Sequence, residues 1–152
     1  MTQRAGAARR TLASFTVPSV AGNERLALAR VADAVAGEGI AGRQLERLKT
    51  AVSEATLNAM EHGNGFDPGI GVDIEVMRAG SDIVVTVTDQ GGGEGAGIPL
   101  SAEEPDLGRK LAGEQDVRGW GLFLIRHMVD AMEVRTDGPR RTVWLTLRAG
   151  AR

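Results

Sequence analysis

Three short stretches hold side chains whose types and spacing could do chemistry. Glu54 and Asn58 are four residues apart, and His62 follows four residues later. Residues at i and i+4 share one face of a helix, so a carboxylate, a carboxamide and an imidazole would line up. The plainer reading is a solvated polar edge. Asp89 closes a β-prone run and is followed by Gln90-Gly91-Gly92-Gly93; its plainer reading is a turn-forming Asp. Arg118-Gly119-Trp120-Gly121-Leu122 sets two glycines where an amphipathic run begins. A helix N-terminus offers free N–H groups and partial positive charge, and glycines let a phosphate approach the backbone. Alone, that stretch fits a loop end before an ordinary helix equally well.

Other phosphate-binding patterns fail. The sequence holds no G-x-x-x-x-G-K-[ST], which excludes a P-loop. Gly91 to Ala96 matches G-x-G-x-x-A after a predicted strand, but Gly97-Ile98-Pro99 follows where a dinucleotide site needs a helix to begin. Cysteine is absent, so a disulfide scaffold, a Cys-ligated zinc site, an iron–sulfur cluster and a thiol nucleophile are all excluded. Lys plus Arg is 18 against 20 Asp plus Glu, a formal charge of −2, which gives no basic excess for nucleic acid. Tyr is absent and only Phe15, Phe66, Phe123, Trp120 and Trp144 are aromatic, so a base-stacking platform is not expected. No run reaches the ~20 apolar residues of a membrane span. The basic start, Met1 to Arg10, lacks the apolar segment of a secretory signal, and a cytoplasmic location is expected by default.

The elements that must position these groups follow from periodicity. Residues 1–10 read as a disordered tail and 11–152 as one domain, a normal size for a single core. Leu12 to Val17 is β-prone. Leu28, Val31 and Val35 mark a first helix from Asn23 to Val35, stopped by Gly37-Glu38-Gly39. Leu45, Leu48, Val52, Ala55 and Ala59 mark a second over 43–62, which Gly63-Asn64-Gly65 breaks. Ile70 to Val76 and Ile83 to Val87 alternate as strands about an Ala79–Asp82 turn. Leu122, Ile125, Val129 and Met132 mark a third helix from Gly119. Strands close the chain near Glu133–Asp137 and Thr142–Arg148, with Val143, Leu145 and Leu147 on one face. This order fits a two-layer α/β (α+β) sandwich, a mixed sheet with helices on one face. Residues 90–117 carry few large apolar groups, and loops this long are usually functional or disordered.

Taken together and in this order, the three stretches resemble the nucleotide-binding domain shared by gyrase, Hsp90, histidine kinases and MutL, the Bergerat or GHKL fold. Glu54 to Gly63 resembles the N-box. Asp89-Gln90-Gly91-Gly92-Gly93 resembles the first glycine box, and Gly119-Trp120-Gly121-Leu122 the second. The resemblance spans about residues 12–148 and makes 94–117 a flexible ATP lid. Within the group the chain is similar to the bacterial anti-sigma-factor serine/threonine kinases, through Val52-Ser53-Glu54-Ala55, His62-Gly63 and Leu122-Phe123-Leu124-Ile125. The stretch before residue 12 leaves no room for a histidine kinase's dimerisation domain.

The resemblance implies roles. Asn58 would hold Mg²⁺ bridging the ATP phosphates, as suits an oxygen-seeking cation. Glu54 would be the general base. Asp89 would accept a hydrogen bond from the adenine amino group, while Gly91 and Gly93 pass close to the base. Gly119, Gly121 and Leu122 would form the phosphate-binding turn, with Arg118 neutralising phosphate charge. For His62, capping of its helix is preferred to phosphate contact; for Arg25 and Arg30, a solvated face is preferred to a partner surface; His127 is expected on the surface. The implied function is an ATP–Mg²⁺-dependent serine kinase that phosphorylates an anti-anti-sigma protein of the STAS class and binds a sigma factor, commonly as a homodimer. No direct contact with nucleic acid or membrane is expected. The alternative is a non-catalytic ATP-binding partner switch, against which the pairing of Glu54 with Asn58 argues.

Overall fold

A computed structural model describes residues 9–92 and 119–149, the first four of the latter as backbone only. Its elements are β1 (Arg9–Pro18), α1 (Asn23–Ala34), α2 (Arg43–Asn58), a π-helical turn (Ala59–Gly63), β2 (Gly71–Ala79), β3 (Asp82–Asp89), α3 (Gly119–Met128), β4 (Ala131–Asp137) and β5 (Arg140–Arg148).

The strands form one sheet in the order β1-β2-β3-β5-β4. The helices cover one face of it. Facing rows Phe15/Val17, Val72/Ile74/Val76, Ile83/Val85/Val87 and Val143/Leu145/Leu147 are buried with Ala27, Val31, Leu48, Val52, Ala55 and Ile125. These are the period-two and period-3.6 stripes legible in the sequence. The other face is largely polar: Thr16 donates to Asp73 at 2.7 Å, Thr88 and Thr142 share a 2.9 Å hydrogen bond, and the Arg135 guanidinium lies 4.5 Å from the Trp144 ring centre.

The sandwich is as expected, but the sheet is not mixed. Every ladder is antiparallel. The crossover after β3 does deliver a strand parallel to it, namely β4. The tight Gly138-Pro139 turn then sends β5 back between the two, so the parallel strands never touch. Both hairpins turn on a glycine with positive φ, Gly80 at 63° and Gly138 at 59°, as two-residue turns of a twisted sheet require.

Three boundaries also differ. The strand β1 starts at Arg9, inside the segment expected to be a tail. Arg9 and Arg10 pair with Ala79 and Arg78, and Arg10 reaches Glu38 at 2.9 Å. The α3 helix stops at Met128, so Val129 and Met132 leave the stripe assigned to it. Asp130 N–H bonds Thr146 O, which draws the chain into the sheet. Finally, α2 gives way at Ala59 to a π turn, in which Asn64 N–H bonds Ala59 O, five residues back, at 2.9 Å. Such wide turns recur at functional sites.

Candidate functional site

Topology decides whether the three stretches meet. The strand β3 ends at Asp89, and its antiparallel neighbour β5 begins at that same edge, with Asp89 opposite Arg141. The helix α2 starts at the far edge, where Gln44 Nε2 donates to Arg148 O, and its π extension ends against Asp89. The strand β4 starts at the far edge too, so α3, which feeds it, must begin at the Asp89 edge. The helices α2 and α3 pack side by side. One end of the sandwich therefore gathers the close of the N-box-like helix, the Asp89–Gly91 turn and the α3 N-terminus at Gly119 and Gly121.

The first junction is tight. A Cβ on Gly91 would lie 2.6 Å from Gly63 Cα and 2.8 Å from Gly63 O. A Cβ on Gly63 would collide with the Asp89 carboxylate. Glycine is needed here for close approach, not for an unusual φ. Asn64, also buried, ties the edge together. Its Oδ1 accepts from Gln90 N at 2.9 Å, and its Nδ2 donates to Ser19 Oγ at 3.0 Å and Gly71 O at 3.2 Å.

Asp89 lies on the helix-facing row of β3, one step beyond Val87, and is 2% exposed. Its Oδ1 accepts from Gly91 N at 2.7 Å. Arg141, 3% exposed, holds its Nε 3.3 Å from Oδ1 and its Nε and Nη2 each 3.4 Å from Oδ2. Burial raises the carboxyl above its ordinary range, while the Gly91 N–H and the guanidinium charge pull it partway back. Asn58 is buried at the end of α2 and Glu54 is partly buried one turn earlier.

The expected site residues thus stand as follows. Glu54 and Asn58 share one helix, and its continuation meets Asp89 and Gly91. The backbone of Gly119, Gly121 and Leu122 forms the first turn of α3. Gly93, Arg118 and segment 94–117 lie outside the described residues. His62 sits in the last turn of the π helix with Nε2 3.7 Å from Glu61 Oε1. His127 is exposed and its Nδ1 lies 2.9 Å from Phe123 O. Arg30 is exposed, as a solvated face requires, and its guanidinium lies 4.3 Å from the Phe15 ring centre at the β1 edge of the core.

Sequence reasoning missed Arg141 and Asn64. Arg141 had a visible signal: it stands two residues before Val143 in a run whose alternate members face the core, a charge on an apolar row. Asn64 looked like one more helix breaker, and nothing local marked it as a tie.

Among the described residues no helix is long and apolar enough to cross a membrane. Residues 17–147 match the family model described as the histidine kinase-like ATPase domain. The chain is 31% identical over 125 residues to the anti-sigma F factor of Oceanobacillus iheyensis, covering 80% of each. It is 33% identical over 119 residues to that of Geobacillus stearothermophilus, covering 76% of each. Two solved structures share the fold. One holds the RsbU and RsbW domains of Rv1364c from Mycobacterium tuberculosis, at TM-score 0.63 and 20% identity, matching 92% of this chain and 33% of that one. The other is the SiaB–SiaC complex from Pseudomonas aeruginosa, at TM-score 0.62 and 14% identity, matching 91% and 90%. With its three motif regions gathered at one end of an antiparallel sandwich, the chain belongs to the histidine kinase-like ATPase domain family and is a relative of the bacterial anti-sigma factors.

Proposed function

We propose that this chain is an ATP–Mg²⁺-dependent protein serine kinase of the partner-switch kind, phosphorylating an anti-anti-sigma protein of the STAS class and binding a sigma factor. The observation that carries the reading is the convergence of the α2 end, the Asp89–Gly91 turn and the α3 N-terminus at one edge. The anti-sigma F factors it resembles supply the sigma-factor side of the proposal.

The donor set suits the proposed metal. Among the described residues no three His, Cys, Asp or Glu side chains gather into a metal-binding cluster, so Asn58 would act as a lone protein oxygen. Mg²⁺ commonly takes one or two protein ligands and completes its shell with phosphates and waters. When bound, it would supply positive charge to the phosphate oxygens as the γ-phosphoryl group leaves.

The chain's own groups divide the remaining work. Asp89 accepts the adenine amino group. The α3 N-terminus directs free N–H groups at phosphate. Glu54, one turn before Asn58, orients the incoming serine hydroxyl and takes its proton as the oxygen attacks. In many kinases such a carboxylate acts chiefly by positioning.

The test is transfer of labelled phosphate from ATP to candidate STAS proteins with Mg²⁺ present. Wild type is expected to label a serine on one of them, and Glu54→Gln to label it far more slowly. A Glu54→Gln variant as fast as wild type removes the base assignment. ATP uptake with no transfer to any STAS protein leaves the non-catalytic switch as the better account.

A further inference from the structure

Three consecutive N–H groups shape the turn that follows Asp89, and each has its own acceptor. Gln90 N donates to Asn64 Oδ1 at 2.9 Å, Gly91 N to Asp89 Oδ1 at 2.7 Å, and Gly92 N to Pro139 O at 2.8 Å. The second acceptor is the aspartate itself and the third is backbone. Asn64 is the side chain that reaches this turn from another element. Its own backbone N–H bonds Ala59 O, so the π turn delivers it there. The carboxamide fits only one way round. Ser19, 0% exposed, donates its hydroxyl to Ile70 O at 2.6 Å and therefore receives Asn64 Nδ2, at 3.0 Å, as an acceptor. Gly71 O, 3.2 Å from the same nitrogen, can only accept. Turned over, the amide would set its oxygen against Gly71 O and its nitrogen against the Gln90 N–H, and both bonds would be lost.

Resting on the reading that the Asp89–Gly91 turn receives the nucleotide, we infer that Asn64 is a positioning residue for that site. It acts through the Gln90 N–H rather than on the ligand, and holds the turn in its binding shape before the nucleotide arrives. The donors run in one direction, from Gln90 through Asn64 and Ser19 to Ile70. Asn64 is 6% exposed, its oxygen and both amide protons are engaged, and a buried polar network so satisfied fixes a single geometry. Without the tie the turn adopts that geometry for only part of the time. Apparent affinity then falls by the same fraction, because only the competent form binds.

The experiment joins amide hydrogen exchange to calorimetric titration of the full chain with ATP and Mg²⁺. In the nucleotide-free wild type the Gln90 amide should exchange far more slowly than an open loop does. Asn64→Leu keeps the branched shape of the side chain and removes its polar atoms. It should speed exchange at Gln90 and weaken ATP binding about 5- to 20-fold, on the order of one buried hydrogen bond. Ser19→Ala should weaken it about 2- to 5-fold, and should add nothing in the Asn64→Leu background, since both act through one tie. Arg78→Met, destabilised at the far edge, should bind ATP as the wild type does, which separates positioning from a general loss of stability. Equal ATP affinity in wild type and Asn64→Leu would overturn the inference while leaving the nucleotide reading intact. So would an unprotected Gln90 amide in the wild type, a result that stands even if the variants fail to fold. No ATP uptake by the wild type would overturn the nucleotide reading and this inference with it.

Discussion

The two edges of the sandwich each bury an arginine beside a carboxylate, and they use it differently. At the far edge Arg78 donates through Nη1 to Glu38 O, lies 3.4 Å from Glu38 Oε1, and donates through Nε to Gly80 O at 3.0 Å. Its partners are mostly backbone carbonyls, present whatever the ligand state, and Glu38 is further held by Arg10. At the candidate site Arg141 faces a single carboxylate at long range and keeps one nitrogen unpaired. The first arrangement closes a loop onto a hairpin. The second holds unspent hydrogen-bonding capacity in a dry place, where it acts strongly on whatever enters. A buried ion pair alone is poor evidence for either stability or function; what its members leave unsatisfied separates the two cases.

The largest expected contrast between the edges is catalytic. Glu54→Gln should slow phosphate transfer by about 10²–10⁴-fold, the usual loss of a general base, while Glu38→Gln at the far edge should leave the rate within about twofold. Stationary single-turnover rates for Glu54→Gln would erase the functional distinction.

Stability comes next. Arg141→Met strands a buried carboxylate and should cost about 3 kcal/mol at neutral pH. Arg78→Met leaves neutral carbonyls and a Glu38 side chain that reaches water, and should cost about 1–2 kcal/mol. Urea unfolding would read both, and equal losses would contradict the comparison. The two deficits should also part with pH. Asp89 has a raised carboxyl in the folded chain, so the folded state binds its proton more readily than the unfolded state does. Its contribution to stability is fully present below the unfolded value of 3.8 and is lost as pH rises through the raised folded value. Removing Arg141 lifts that folded value further, so the Arg141→Met deficit should shrink on acidification over a wider pH range. ATP affinity in that variant should likewise begin to fall at a higher pH than in wild type.

Glycine substitutions sharpen the same contrast on a smaller scale. Gly91→Ala drives a methyl into Gly63 backbone and should cost about 1–3 kcal/mol through overpacking, with nucleotide affinity lost alongside. Gly37→Ala at the far edge meets open space but forces φ of 82° on an alanine; about 1 kcal/mol is expected, with binding unchanged. The smallest effect belongs to Arg10→Ala. It removes an ion pair whose arginine is 61% exposed and should change stability by under about 1 kcal/mol.

Much of this molecule was legible in one dimension. The stripe Leu48, Val52, Ala55 and the alternations through Ile74, Val85 and Leu145 dictated which faces are buried, because burial of apolar surface dominates folding and period reports the element. Motif order singled out Glu54, Asn58, Asp89 and the Gly119 turn as candidates for the proposed site. Contacts between distant segments were not legible. That β5 slips between β3 and β4, that Gly63 lies against Asp89, that Asn64 ties three elements and that Arg141 points at Asp89 all depend on which edge each element starts from. Periodicity records how a residue faces its own helix or strand. It carries no information about which remote side chain stands opposite, and for a buried charge that partner offsets part of what burial does to its proton affinity.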